Sequence, residues 1–221
     1  ALDVFGFVVA VGGFDLYKGQ LTLDDDTEAS TEGFEAEVLT IELEVAHLFA
    51  GTGAKLVADA SGYAGYRLET AGAVGFAVNV DPTAPGDPSH LSLAIVKDTD
   101  PATALEATYV GLDFELIDAH LQGISGLVFE ASGTVLVNWA SEGAQRLNWY
   151  QAWANEQRPD DEKRLPKFSE ELSPDVAMWI SGDLALDVFG FVVAVGGFDL
   201  YKGQLTIDDD TDVNTDGFEA E

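Results

Sequence analysis

The clearest chemical potential lies near the C-terminus. Asp212-Val-Asn214-Thr-Asp216-Gly217 fits the opening of a calcium loop, D-x-[DN]-x-[DN]-G. Ca²⁺ takes about six to eight hard oxygens, alternate positions in a tight loop converge on one point, and glycine permits the turn. Asp208, Asp209 and Asp210 lie just upstream as further donors. Asp208, Asp209, Asp210, Asp212, Asn214 and Asp216 are therefore the candidate cation ligands, with Ca²⁺ the expected ion. An earlier copy of the loop carries Glu28, Ser30 and Glu32 ahead of Gly33, a poorer donor set. The competing reading is an acidic hairpin loop with solvated carboxylates. Asp81/Asp87 and Asp98/Asp100 sit in turns, where Asp is common for backbone reasons.

Catalysis finds little support. His47, His90 and His120 are far apart, with no H-x-H or H-E-x-x-H spacing. There is no G-x-S-x-G and no G-x-x-x-x-G-K-[ST], and Gly51-Thr-Gly-Ala-Lys55 lacks phosphate-loop spacing. No cysteine is present, which excludes thiol catalysis, disulfides and Cys–zinc sites. With Asp+Glu at 40, some carboxylate pair always exists, so such a pair discriminates nothing. The expectation is a non-enzymatic chain. Of the tryptophans Trp139, Trp149, Trp153 and Trp179, three fall in or beside one polar segment. Trp149 and Trp153 are the candidate contacts of an alternative reading, in which they stack on a glycan. The plainer reading is an aromatic cluster anchoring that segment. A hydrolase cleft and a lipid-carrying apolar groove are further alternatives.

The elements that would position these residues are organised by a duplication. Residues 1–37 recur at 185–221 with an offset of 184, and five of the 37 positions differ: Leu23/Ile207, Glu28/Asp212, Ala29/Val213, Ser30/Asn214 and Glu32/Asp216. The chain thus reads as one unit of 184 residues and the start of the next, a piece of a longer protein. A stretch of 37 residues is below the size that usually folds alone. It is expected to bury its apolar strand against the preceding repeat or a neighbouring chain, as stacked units sharing a sheet. The assembly residues on this reading are Val4, Phe5, Phe7, Val9, Val11 and Phe14, and in the second copy Val188, Phe189, Phe191, Val193 and Phe198.

Strand patterns dominate. Leu2–Tyr17 reads as a strand apolar on both faces and so covered on both sides. Leu39, Ile41, Leu43 and Val45 alternate with polar residues, as in a half-buried strand. Tyr66–Glu69, Val74–Val80, Leu91–Lys97, Glu106–Leu121, Leu127–Trp139 and Val176–Val193 follow, separated by Pro-, Gly- and Asp-rich turns. The expected fold class is all-β, a stacked β-sheet repeat of sandwich, roll or solenoid type with a short polar, partly helical connector. Its phase places most of one module in 1–155, the connector in 156–175 and the next repeat from 176 to 221. A short helix is expected near Asn148–Gln157. The connector's Arg158, Lys163, Arg164 and Lys167 either dock on the acidic face of a next unit or make local ion pairs.

Composition sets outer limits. The net charge is −30 with a pI near 4.1, yet 47% of residues are hydrophobic, too apolar for a disordered acidic tail. That charge disfavours nucleic acid and anionic membrane surfaces, and suits high salt or bound divalent cations. No apolar run reaches the ~18 residues of a membrane-spanning helix, so no membrane insertion is expected, and no basic n-region opens the chain.

Val110-Gly-Leu-Asp-Phe-Glu-Leu, Gly126-Leu-Val-Phe-Glu-Ala-Ser-Gly133, Val135-Leu-Val-Asn138 and Ser181-Gly-Asp-Leu-Ala-Leu-Asp-Val-Phe-Gly-Phe-Val192 resemble repeats of very large acidic bacterial surface proteins, of the large repetitive or hemolysin-type calcium-binding kind. The resemblance implies secretion, an extracellular or cell-surface location, a fibrous or adhesive role and calcium. The glycine-rich nonapeptide of calcium β-rolls is absent. Together these readings give an expected function: a structural repeat of an extracellular filament or adhesin stalk. Its partners would be neighbouring repeats or identical chains. A glycan- or surface-binding adhesin module is the alternative.

Overall fold

A computed structural model describes residues 1–26, 33–79, 89–102, 106–207 and 218–220. They form a predominantly β structure with a large antiparallel sheet. β1 (Leu2–Val4) turns into β2 (Val8–Leu23), which pairs along its whole length with β3 (Phe34–Thr52). β4 (Lys55–Tyr63) and β5 (Tyr66–Glu69) make a separate two-stranded sheet. β6 (Val74–Val78) and β7 (Ser89–Asp98) lie end to end in one lane: β6 pairs with Leu48–Thr52 of β3, and β7 with Ala36–Val45. β8 (Thr108–Gln122) closes over both, followed by β9 (Leu127–Ala140), β10 (Val176–Val188) and β11 (Val192–Gly203). Between β9 and β10 come helix α1 (Trp149–Asn155) and a 3₁₀ turn at Asp160–Glu162. β12 (Leu205–Ile207) and β13 (Phe218–Ala220) pair with each other.

Directly opposed residues on antiparallel strands share a face, so the pairings assign each side chain. One face carries Val9, Val11, Leu21 and Leu23 of β2, Ala36, Val38 and Phe49 of β3, Ala94 and Val96 of β7, and Leu136 of β9. Two covers bury it. The β4–β5 hairpin packs Ala54, Leu56 and Leu68 on Val9, Phe49 and Ala77. The segment after β9 packs Leu147, Trp149, Ala152, Leu165, Phe168 and Leu172 on the other end. Small residues make room for its largest ring: a Cβ at Gly111 would lie 2.6 Å from the Trp149 indole. The Trp149 and Phe168 rings meet at 5.2 Å between centroids. Asn148 caps α1, its side chain accepting from the Gln151 N–H at 3.1 Å.

Four sequence expectations change here. Leu2–Tyr17 is a hairpin, because Phe5 (φ 54°) and Gly6 (φ 66°) make a two-residue turn closed by the Phe7 N–H on the Val4 carbonyl. Val176–Val193 divides in the same way at Phe189 (φ 51°) and Gly190 (φ 72°). Nor is β2 covered on both sides. Val9 and Val11 are buried, while Phe14 and Leu16, on the opposite face, are exposed. The 156–175 segment supplies Leu165, Phe168 and Leu172 to the core, so it is a cover for the sheet as well as a link between strands. Among the described residues no helix is long and apolar enough to cross a membrane.

Candidate functional site

The two copies of the duplicated segment lie at opposite ends of the large sheet, and their hairpins share one register, although the strand that is continuous in the first copy breaks at Gln204 in the second. In the first copy Leu2 faces Ala10, Asp3 faces Val9 and Val4 faces Val8; in the second, Leu186 faces Ala194, Asp187 faces Val193 and Val188 faces Val192. Both turns are tied by the same aspartate. Asp3 accepts from the Gly6 N–H at 2.7 Å, and Asp187 from the Gly190 N–H at 2.8 Å. Downstream, Leu21–Ala36, Thr22–Glu35 and Leu23–Phe34 recur as Leu205–Ala220, Thr206–Glu219 and Ile207–Phe218.

Their surroundings are complementary. The first copy has β3 and the covers beside it, so Val9 is 0% exposed and Val11 1%. The corresponding Val193 and Val195 are 68% and 83% exposed. Fully burying each valine is worth about 1.5 kcal/mol or more. The second copy instead has the long strand β10 and its neighbour β9 beside it. Phe189 rests on Gly126, where a Cβ would lie 2.6 Å from the ring, and is 58% exposed; its counterpart Phe5 is fully exposed. The Phe198 ring crosses Gly182. Asp199 accepts from the Trp179 indole N–H at 2.6 Å, and the Asp175 carbonyl accepts from the Gln204 N–H at 2.8 Å. Each copy thus displays one half of the contacts that a single hairpin would make between two flanking strands. Of the other assembly candidates, Val4, Phe7, Phe14 and Phe191 are exposed, and Val188 is half-buried.

The triplet Asp24-Asp25-Asp26 corresponds to the candidate cation ligands Asp208, Asp209 and Asp210. In the first copy it docks α1. Asp25 Oδ2 accepts from the Asn148 N–H at 3.1 Å, and the Asp24 and Asp26 carbonyls accept from Asn155 Nδ2 at 3.0 and 2.8 Å. Burial pushes the Asp25 carboxyl above the usual range, and the Asp26 and Asp24 carboxylates push the same way. Asp208, Asp209, Asp210, Asp212, Asn214 and Asp216 themselves lie outside the described residues, as do Asp81 and Asp87. Among the described residues no group of three or more His, Asp or Glu side chains is arranged to hold a metal ion.

The glycan candidates are differently placed. Trp149 is 0% exposed, and its indole N–H donates to Asn138 Oδ1 at 2.9 Å, so it is a core residue with no face open to a sugar. Trp153 is half-buried under two cations, Lys163 at 4.0 Å and Lys167 at 5.1 Å from the ring centroid. Lys163 also donates to the Trp153 carbonyl at 2.8 Å and lies 3.3 Å from Asp160, and Arg158 pairs with Glu156. Arg158, Lys163 and Lys167 act locally, whereas Arg164 lies over the Tyr17 ring of β2, 5.3 Å from its centroid.

One cluster was not singled out by the sequence. On the belt between the two covers, His90 Nδ1 lies 3.3 Å from Glu115 and Nε2 3.6 Å from Asp113. The hydrogen bond with Asp113 raises the His90 pKa, helped by Glu115 and Glu42; burial raises that of Glu42, with Asp15 adding repulsion. These residues come from four strands, and no short-range spacing announces them. Asp113 is buried, while His90, Glu115 and Glu42 are half-buried or exposed.

No protein-family model, curated protein or solved structure matches the chain.

Proposed function

We propose that this chain is a structural repeat of an extracellular filament or adhesin stalk, built as one continuous antiparallel sheet that passes from repeat to repeat. The observation that carries the reading is the complementary exposure of the two hairpin copies in identical register. From β2 to β11 there are six steps across the sheet, so strand direction is restored after each unit. At about 4.7 Å per strand, a unit would advance the sheet by about 28 Å. Among the described residues β2 is paired on its outer side only at Val8–Ala10. A preceding strand equivalent to β10 would pair along the rest, bringing its tryptophan to Asp15 and its glycine under Phe14. Backbone hydrogen bonds and apolar packing carry this joint, and calcium on the Asp208–Asp216 loop would stiffen it. The extracellular setting rests on the resemblance to acidic surface-protein repeats.

Small-angle scattering from chains of one, two and three units tests the proposal. A continuous sheet lengthens by about 28 Å per unit along its growth direction. Separately folded beads of this size, with a radius of gyration of about 16 Å, would lengthen by about 40 Å or more. The larger increment would refute the continuous sheet.

A further inference from the structure

The face of the large sheet opposite the two covers is predominantly apolar. One row across it runs Leu43, Leu91, Phe114, Val135, Ile180 and Leu200 in direct register. A second runs from Leu16 through Ile41, Leu93, Leu112 and Val137 to Met178. Every one of these side chains is half-buried or exposed, whereas β7 residues on the other face, Ala94 and Val96, are 0% exposed. Both covers lie on that other face. The larger aliphatic residues are therefore on the side that has no cover among the described residues.

We infer that this face pairs with the same face of a second copy of the chain, closing a two-sheet sandwich. Three features select that occupant. The face spans seven lanes by about ten residues, roughly 1,000 Å², against the ~800 Å² per partner of a standard stable interface. Its first row holds no ionisable residue and its second only Lys202, at the β11 edge beside Met178, so the charge of −30 does not oppose approach at the centre. At the rim, lysines answer acids: Lys18 lies 3.1 Å from Glu37 and Lys97 3.7 Å from Glu106. Such a rim of opposite charges around an apolar centre is complementary to itself. Two such sheets pack about 10 Å apart, with strands within about 30° of each other. The contact is isologous, so it closes at two chains. This inference goes beyond the continuous-sheet proposal and does not depend on it, since edge growth is open-ended and face pairing is not.

Sedimentation velocity on the full chain over a hundredfold concentration range, with and without uncharged phosphatidylcholine vesicles, is the test. The expected result is a discrete dimer. Leu112→Glu, at the centre of the face, should weaken it at least 100-fold with the circular dichroism of the chain unchanged, and Glu44→Lys, on the opposite face, should leave it intact. Leu93→Lys is the second centre variant should Leu112→Glu fail to fold. A monomer at all concentrations, an open-ended ladder of oligomers, a dimer indifferent to both centre variants, or a monomer that partitions onto the vesicles would each overturn the inference.

Discussion

Asn138 is buried with its amide fully engaged: Nδ2 donates to the Leu147 and Ser173 carbonyls at 2.8 and 2.9 Å, and Oδ1 accepts from Trp149. The side chain pins the cover segment to β9 at both of its ends. Asn138→Ala would orphan three buried groups, each worth about 1–3 kcal/mol, and urea unfolding should show a loss of about 3 kcal/mol or more. Asp25 makes the opposite case. Its folded-state pKa is raised, so the fold holds the proton more tightly than the unfolded chain does. Ionised Asp25 therefore weakens the fold above that range, and the penalty is absent below the unfolded pKa. Asn at this position keeps an acceptor for the Asn148 N–H and removes the charge. Asp25→Asn should raise Tm at pH 7, with the gain gone near pH 3. A gain independent of pH would exclude charge as the cause.

At the scale of elements, the hairpin turn is the critical joint. Gly6 and Gly190 both adopt left-handed backbone with room for a Cβ: the nearest atom to one is 3.9 Å away, and nothing lies within 4 Å of the other. Strain alone should thus set the cost of Gly6→Ala or Gly190→Ala, about 1 kcal/mol each by thermal denaturation. Strong alternation was readable along the chain. Leu91–Lys97 sits within β7, Leu127–Trp139 within β9, Tyr66–Glu69 matches β5, and the helix at Trp149–Asn155 lies within the stretch marked by its Asn148 cap. The turns at Phe5 and Phe189 were not readable, because phenylalanine gives no warning of positive φ. β4 was missed because Lys55–Tyr63 carries small and polar residues in place of a strong alternating pattern. The cover segment was hidden by its composition: Leu165, Phe168 and Leu172 are three apolar anchors in a stretch that otherwise reads as solvated loop. The His90 belt was invisible because its members come together only through sheet register.

For the whole molecule, the duplication was legible as a period of 184 residues, but its spatial meaning was not. The structure sets the two copies six steps apart at opposite ends of one sheet, the first with its valines buried and the second with them exposed. The chain has no cysteine, so cysteines can be introduced singly and labelled without interference. The decisive measurement is a pulsed electron–electron resonance distance in a chain with residues 1–184 placed ahead of 1–221. Spin labels would replace the exposed Glu142 in the first and second units. A sheet continuous across the junction should give a single narrow distance near 28 Å. A broad distribution, or one centred beyond about 40 Å, would mean that successive repeats are separate bodies, and the continuous sheet would be wrong.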